Sequence, residues 1–557
     1  MAPNTLPLTK RGLDLADIQG NIVRPYGRFG FPFIRHLFFH IGNAKAGRYL
    51  IDEVRKVVTT SERWAEVDQG NKELPPRPVV AVNIGLSYLG LAALELPTRT
   101  LSQLPHEFID GMARRCSILG DVGPSAPGKW DKIWGNGLDD PARAVHVWIS
   151  LTAQMKPDGT PVDELGAKTS WLRDIAQRSE GVTLLSGHEG PNADYQDSAA
   201  LMDTFNGRIV PSAREHFGFA DGIGDPVFAG QYEKEREEHD VVGSGKLPPG
   251  GDTWKPLATG EFILGHFNEA QELPPSAPPW SFMRSGTFAA YRKLHQNVAS
   301  FDTYVKQQAL LYRRVVGAES DEAAEMTVRA KMVGRWPNGF PLATVPTFQE
   351  FKQRCGEWAD IPEIRLKRQV NRTPEENARL AAFERFLVDF RYGDDVAGAK
   401  CPVSSHIRRA NPRDTLDPYQ GKTSAATATS LSNRRRLMRR GLPYGTASPD
   451  DTSEHGVVFM AVCASLFNQF EFVQQQWMHY GSGFGVGNDT DPITGLRHEK
   501  DGKSVEKFVI SSDPSGSGVP FICANMPLFV ETRGGEYFFL PSLTALRQIA
   551  MGSVDPT

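Results

Sequence analysis

Apolar runs of strand length alternate with amphipathic helical stretches at both ends of this 557-residue chain, and the stretch between them loses that alternation. Near the N-terminus the order is HLFFHIG (36–42), a helical stretch near 46–58, VVAVNIG (79–85), a second near 87–95, VHVWISL (145–151), a third near 162–178, and VTLLSG (182–187). Short apolar runs separated by segments of 3.6-residue period predict an α+β sandwich, not a helical bundle. A Gly-, Pro- and Trp-rich loop at 121–142 reads as an insertion that leaves the sheet undisturbed. From about 229 to 400, beginning with GSGKLPPGGD (243–252) and PPSAPPW (274–280), regular strands are scarce. Two helices are announced there by their starts: Ser300 ahead of FDTYVKQQALLYRRVV, and a capping box of Thr373 and Glu376 with Pro374 at the first helical position. Beyond 400 the alternation returns with VVFMAVCASL (457–466), the helical FNQFEFVQQQWM, and EYFFLPSLTALRQIA (536–550). The expected division is therefore 1–228, 229–400 and 401–557.

A chain of this length outgrows one simple core, and 40% apolar with 23% charged residues is the composition of an ordinary globular protein. The 62 basic and 66 acidic residues nearly balance, which gives no reason to expect a nucleic-acid or anionic-membrane partner. No run reaches the roughly 18 apolar residues of a membrane span. Met1–Asp17 carries Lys10 and Arg11 but neither an apolar stretch nor a small-residue cleavage site, so no secretory signal is read there. The five cysteines (Cys116, Cys355, Cys401, Cys463, Cys523) are scattered without a CxxC pair, which argues against a disulfide framework and a structural zinc site. A reducing cytoplasm is the expected location.

Three segments carry chemistry. EHFGFADGIGDP (215–226) sets Gly218, Gly222 and Gly224 around Asp221, a tight turn that presents one carboxylate, although Gly-Asp clusters are more often ordinary turns. SSHIRRANPRD (404–414) joins one histidine, an iron ligand in principle, to three arginines able to grip carboxylates bidentately; its ordinary reading is a solvated basic loop. NRRRLMRRGLPYG (433–445) places five arginines in seven positions. These are either a charged surface or a run in which one arginine turns inward to stabilise a developing anion.

Together and in this order, the segments resemble the motif set of the dye-decolourising (DyP-type) haem peroxidases, in their larger, class C/D-like form. The resemblance is carried by DIQGNIVRPYGR (17–28), the GxxDG motif at Gly218, Phe219, Ala220, Asp221 and Gly222, HIRRANPR (406–413), RRGLPYG (439–445) and GGEYFFLPSL (534–543). It implies a pair of ferredoxin-like α+β domains with antiparallel sheets, a helix- and loop-rich insertion between them, and haem b (iron protoporphyrin IX) in the C-terminal one. It further implies His406 as the axial iron ligand, Asp221 and Arg439 as the catalytic acid–base pair with Arg440 as the rival arginine, and Arg413, Gly222 and Phe219 as cofactor contacts. Family members place an acid in the helix behind the proximal histidine; here Phe467 stands where it is expected, leaving Glu471 or Asn468 as substitutes. Trp477 and Tyr480 are relay residues for donors too large to enter, or simply packing aromatics.

The implied activity is reduction of hydrogen peroxide with oxidation of bulky aromatic donors, anthraquinone-type dyes and phenols among them, through a high-valent iron-oxo intermediate. An aspartate of ordinary pKa, about 4, acting as the proton shuttle predicts an acidic optimum. The expected assembly is a monomer or homodimer. The rival readings are a haem-binding or haem-trafficking protein without turnover, which would have no need of Asp221 and Arg439, and a different haem reaction on the same fold.

Overall fold

The structure is a computed structural model that describes residues 12–64, 74–274, 276–367, 371–417, 428–500 and 503–556. Residues 1–11 of the N-terminal stretch read above lie outside the described residues.

Ten strands share one sheet. In chain order they are β1 (Phe33–Ile41), β2 (Val80–Leu86), β3 (Val147–Ala153), β4 (Val182–Leu184), β5 (Gln196–Ala199), β6 (Thr287–Gln296), β7 (Met438–Arg439), β8 (Leu442–Gly445), β9 (His455–Cys463) and β10 (Val530–Leu540). Their order across the sheet is β8–β9–β6–β10–β2–β3–β1–β4, with β5 pairing β1 and β7 pairing β9. Every pairing is antiparallel. The sheet is thus two antiparallel halves joined edge to edge, and the junction is the single pair Phe539–Leu86 between β10 and β2. All seven residues of β2 and of β3 are buried, as apolar, β-branched-rich runs predict for strands covered on both faces.

Helices close the halves. In α1 (Ala44–Arg55) Asn43 accepts the Ala46 N–H, and in α7 (Leu543–Met551) Ser542 accepts that of Ala545, so each starts on a side-chain cap. Leu50, Ile51 and Val54 of α1, Leu172 and Ile175 of α2 (Glu164–Arg178), and Leu546 and Ile549 of α7 join the strands in one apolar core. This is the α+β, antiparallel architecture that the two alternating ends predict.

The middle stretch gives up one strand to the sheet. β6 lies within residues 229–400 yet sits between β9 and β10, at the centre of the second half. Its sequence TFAAYRKLHQ hides this, because Arg292 and Lys293 interrupt the apolar run; both are buried and paired, with Asp121 and with Asp131 (2.6 Å). After β6 come α3 (Val298–Val316), α4 (Asp321–Val333) and α5 (Pro374–Val388). The Thr373–Glu376 capping box is present on α5. The start at Ser300 is corrected: α3 begins at Val298, and Ser300 lies in its first turn, where the Asp451 carboxylate accepts the N–H groups of Ala299 (2.7 Å) and Ser300 (2.9 Å). Among the described residues no helix is long and apolar enough to cross a membrane.

Candidate active site

The segment before Asp221 is a narrow hairpin. Asp221 N–H donates to Ala213 O (2.7 Å) and Glu215 N–H to Phe219 O (3.0 Å), while Gly218 at the tip takes φ +90°, a conformation that favours glycine. Phe217 and Phe219 anchor the tip in a core with Phe301, Tyr304, Phe529 and Ile493. Phe219, expected as a cofactor contact, is 5% exposed in that core. Gly222 continues the turn at φ +74° and donates its N–H to Asp221 Oδ1 (2.6 Å).

Arg439 meets this carboxylate from the other half of the sheet, with Nη1 2.5 Å from Asp221 Oδ1. Consecutive residues of an extended segment face opposite ways. Met438 and Arg440 therefore turn into the core, and Arg440 is consumed there by Asp225 (2.9 Å) and the carbonyls of Asn21 (2.6 Å) and Ile22 (3.0 Å). About 40% of each side chain of the Asp221–Arg439 pair is accessible, and that surface faces a partly open cavity. The cavity has a volume of about 770 Å³ and is also bordered by Glu215, Gly222, Asp225 and Arg440; His406 is not among its lining residues. Burial pushes the Asp221 carboxyl up, but the Arg439 charge and hydrogen bond and the Gly222 N–H outweigh it and hold it below the ordinary aspartate value. Arg439 is raised in turn by Asp221.

His406 opens the short helix α6 (His406–Ala410). Its Nδ1 lies 2.8 Å from Asp491 Oδ2. Asp491 is fully buried, and its Oδ1 accepts the N–H groups of Ile493 (2.8 Å) and Thr494 (2.6 Å). Burial pushes this carboxyl up, and the imidazole and the two N–H groups more than reverse that, so it is a carboxylate held below its usual range. A carboxylate at Nδ1 fixes the proton there and leaves Nε2 with its lone pair. Burial lowers the proton affinity of His406 and Asp491 raises it further, for a net increase to which Asp221 and Arg439 also contribute, in opposite senses. The three candidate side chains thus share one electrostatic environment.

Asp491 is the acid that sequence reasoning missed, and the expectation for Glu471 and Asn468 is corrected. Glu471 is buried against Arg115 (2.5 and 2.6 Å) and the Tyr537 hydroxyl (2.8 Å), while Asn468 lies beside Arg435 and Phe467 is exposed. The segments Leu466–Glu471 and Val473–Met478 are wound as π-helix, so ordinary helical spacing does not say which residue faces α6. The available signal was Asp491-Pro492-Ile493-Thr494-Gly495, a turn whose own N–H groups fix the aspartate.

Arg413, expected at a propionate, is buried at φ +51°, stacks 3.9 Å from the Phe390 ring centroid and donates to the carbonyls of Val388 and Phe390 (both 3.0 Å). Trp477 is buried against Phe472 and Phe484, and Tyr480 is half exposed.

No family model matches the chain. Among curated proteins, it is 27% identical to Peroxidase 2 of Mycetinis scorodonius over 96% of this chain and 87% of that one. It is 26% identical to the dye-decolorizing peroxidase AauDyP1 of Auricularia auricula-judae over 98% and 88%. A crystal structure of a dye-decolorizing peroxidase from the latter fungus superposes with a TM-score of 0.66 at 24% identity, covering 97% of this chain and all of that one. An ancestral D-type dye-decolorizing peroxidase gives 0.65 at 23%, with the same coverage. In sequence over nearly its whole length, and in fold, the chain is a relative of the dye-decolorizing peroxidases.

Proposed function

We propose that this chain is a haem peroxidase that reduces hydrogen peroxide and oxidises bulky aromatic donors, dyes of the anthraquinone type and phenols. The observation that carries the reading is the Asp221–Arg439 pair, facing a cavity and in electrostatic reach of a histidine whose Nδ1 is held by Asp491.

The donor set fits haem. Among the described residues the one grouping of three or more ligating atoms within 4.8 Å is Asp131, Glu189 and Glu454, none of which belongs to this site. A lone histidine with a free Nε2 suits an iron whose remaining ligands come from a macrocycle. No CxxCH segment is present for covalent attachment, which supports haem b. When bound at His406 Nε2, haem supplies the iron at which the O–O bond breaks and the two electrons that are later recovered from the donors.

The protein handles the proton and the charge. Asp221, held as a carboxylate by Arg439 and the Gly222 N–H, takes the proton from one peroxide oxygen and returns it to the other. Arg439 stabilises the negative charge that develops on the departing oxygen, which leaves as water. Asp491 keeps the His406 proton on Nδ1, so that Nε2 stays available for the metal.

Stopped-flow mixing of the haem-loaded protein with hydrogen peroxide tests this, comparing the parent with His406→Ala, Asp221→Asn and Arg439→Leu. The parent reacts rapidly and regains its starting spectrum when a donor is added, His406→Ala loses normal ligation, and each of the other two slows peroxide cleavage by roughly 100-fold or more. Peroxide that merely bleaches the parent would reduce the protein to a haem carrier.

A further inference from the structure

We propose that Glu215 is the positioning residue that fixes the hairpin presenting Asp221, by gathering three donors from two halves of the molecule onto one carboxylate. The inference rests on the role of Asp221 proposed above. Glu215 Oε1 accepts the Phe219 N–H (3.0 Å), and Oε2 accepts both the Phe217 N–H (2.8 Å) and Gln296 Nε2 (2.6 Å). The same residue's backbone closes the hairpin, with its N–H donating to Phe219 O (3.0 Å) and its carbonyl accepting from Gly218 (2.8 Å). The tip is therefore wrapped around its own carboxylate.

Gln296 is the last residue of β6, opposite Val530 of β10, so the third donor comes from the C-terminal half of the sheet. Arg439 belongs to that half too, through β7 and β9. The Glu215–Gln296 bond thus ties the Asp221 hairpin to the same half-sheet that carries its guanidinium partner. The glycine at 218 permits this fold of the tip but does not hold it, since a Cβ placed there meets nothing within 4 Å. Two residues separate the Phe219 N–H from Asp221, so releasing it loosens the chain at the carboxylate itself. Burial pushes the Glu215 carboxyl up, and the three donors oppose this without reversing it. Glu215 borders the same cavity as Asp221 but spends its oxygens on the loop.

Glu215→Gln replaces one acceptor oxygen by an N–H donor and sets it against a donor already there, with almost no change in size. In the haem-loaded protein the second-order rate with peroxide falls by roughly 10- to 100-fold, as misplacement of a reacting group does, while the KM for the dye stays at the parent value. Added to Asp221→Asn, Glu215→Gln changes the rate by no more than about twofold, because it acts only through Asp221. If Glu215→Gln does not take up haem, Gln296→Leu removes the donor from outside the hairpin and gives a smaller loss with the same non-additivity. A parent-like rate in the usable variant, or a loss that multiplies in full on Asp221→Asn, overturns the inference while Asp221→Asn stays slow. A parent-like Asp221→Asn overturns the peroxidase reading of this site instead.

Discussion

Arg439 does two things to Asp221, and they separate on a pH axis. In the proposed reaction it neutralises the charge on the departing oxygen, and in the structure it holds the carboxyl down against burial. Asp221 works as a base only when ionised, so its rate is lost as pH falls through its pKa. With Arg439 in place that loss comes below the ordinary aspartate value of about 4. In Arg439→Leu burial is left as the larger influence, the pKa rises, and the acid limb of the peroxide rate moves to higher pH. The pH profile of the haem-loaded variant checks this, and a limb that stays put would mean that Asp221 is not the titrating base. The sequence alone left Arg439 and Arg440 as rivals, because both lie in one basic run. The fold separates them by the alternation of an extended strand, which sends Arg440 inward to Asp225 and two main-chain carbonyls. Two more arginines of the run are spent likewise: Arg436 on the carbonyls of Ser244 and Gly245, and Arg435 over the Phe472 ring. Asp491 was illegible for a different reason, since 85 residues separate it from His406 and no periodicity links them.

At the scale of the elements, what was legible was local. Thr373 and Glu376 cap α5 from within four residues, and the sequence shows both partners side by side. The start of α3 is capped across the fold, by an aspartate about 150 residues later. Asp451 accepts three bonds there, two from N–H groups of the first turn and one from the Ser300 hydroxyl (2.9 Å), and places a negative charge at the positive end of the helix. Asp451→Ala leaves those donors to water and lowers stability by about 1 kcal/mol, read as a shift in the urea midpoint; Ser300→Ala, which keeps both backbone bonds, costs less. An equal loss in the two variants would show that the hydroxyl, not the main chain, is what Asp451 serves. The strand β6 escaped notice on the same principle. Its two cations look like surface residues until Asp121 and Asp131, both from the N-terminal half, are set against them.

Across the whole molecule, polar contacts also cross between the halves through residues that do not line the cavity. Arg115 from the N-terminal half binds Glu471 from the C-terminal half, which also takes the Tyr537 hydroxyl of β10. Because these bonds leave His406 untouched, Glu471 and Asp491 have opposite signatures. Glu471→Gln breaks a buried pair and lowers stability by about 3 kcal/mol in urea unfolding, with peroxide cleavage unchanged. Asp491→Asn weakens haem affinity by roughly 10- to 100-fold, measured by haem titration. A Glu471→Gln protein with impaired haem binding would return Glu471 to the place behind the histidine. The order of the strands carries one more consequence, for the timing of assembly on the ribosome. β10 separates β6 from β2 in the sheet, so the strand that welds the halves together is the last of the ten to be synthesised. Until residue 540 has emerged, Asp221 belongs to one half and Arg439 and His406 to another, with no shared sheet to align them. Cofactor uptake is therefore a late event in the life of the nascent chain, and the two exposed sheet edges that wait for β10 are where a chaperone would be needed most.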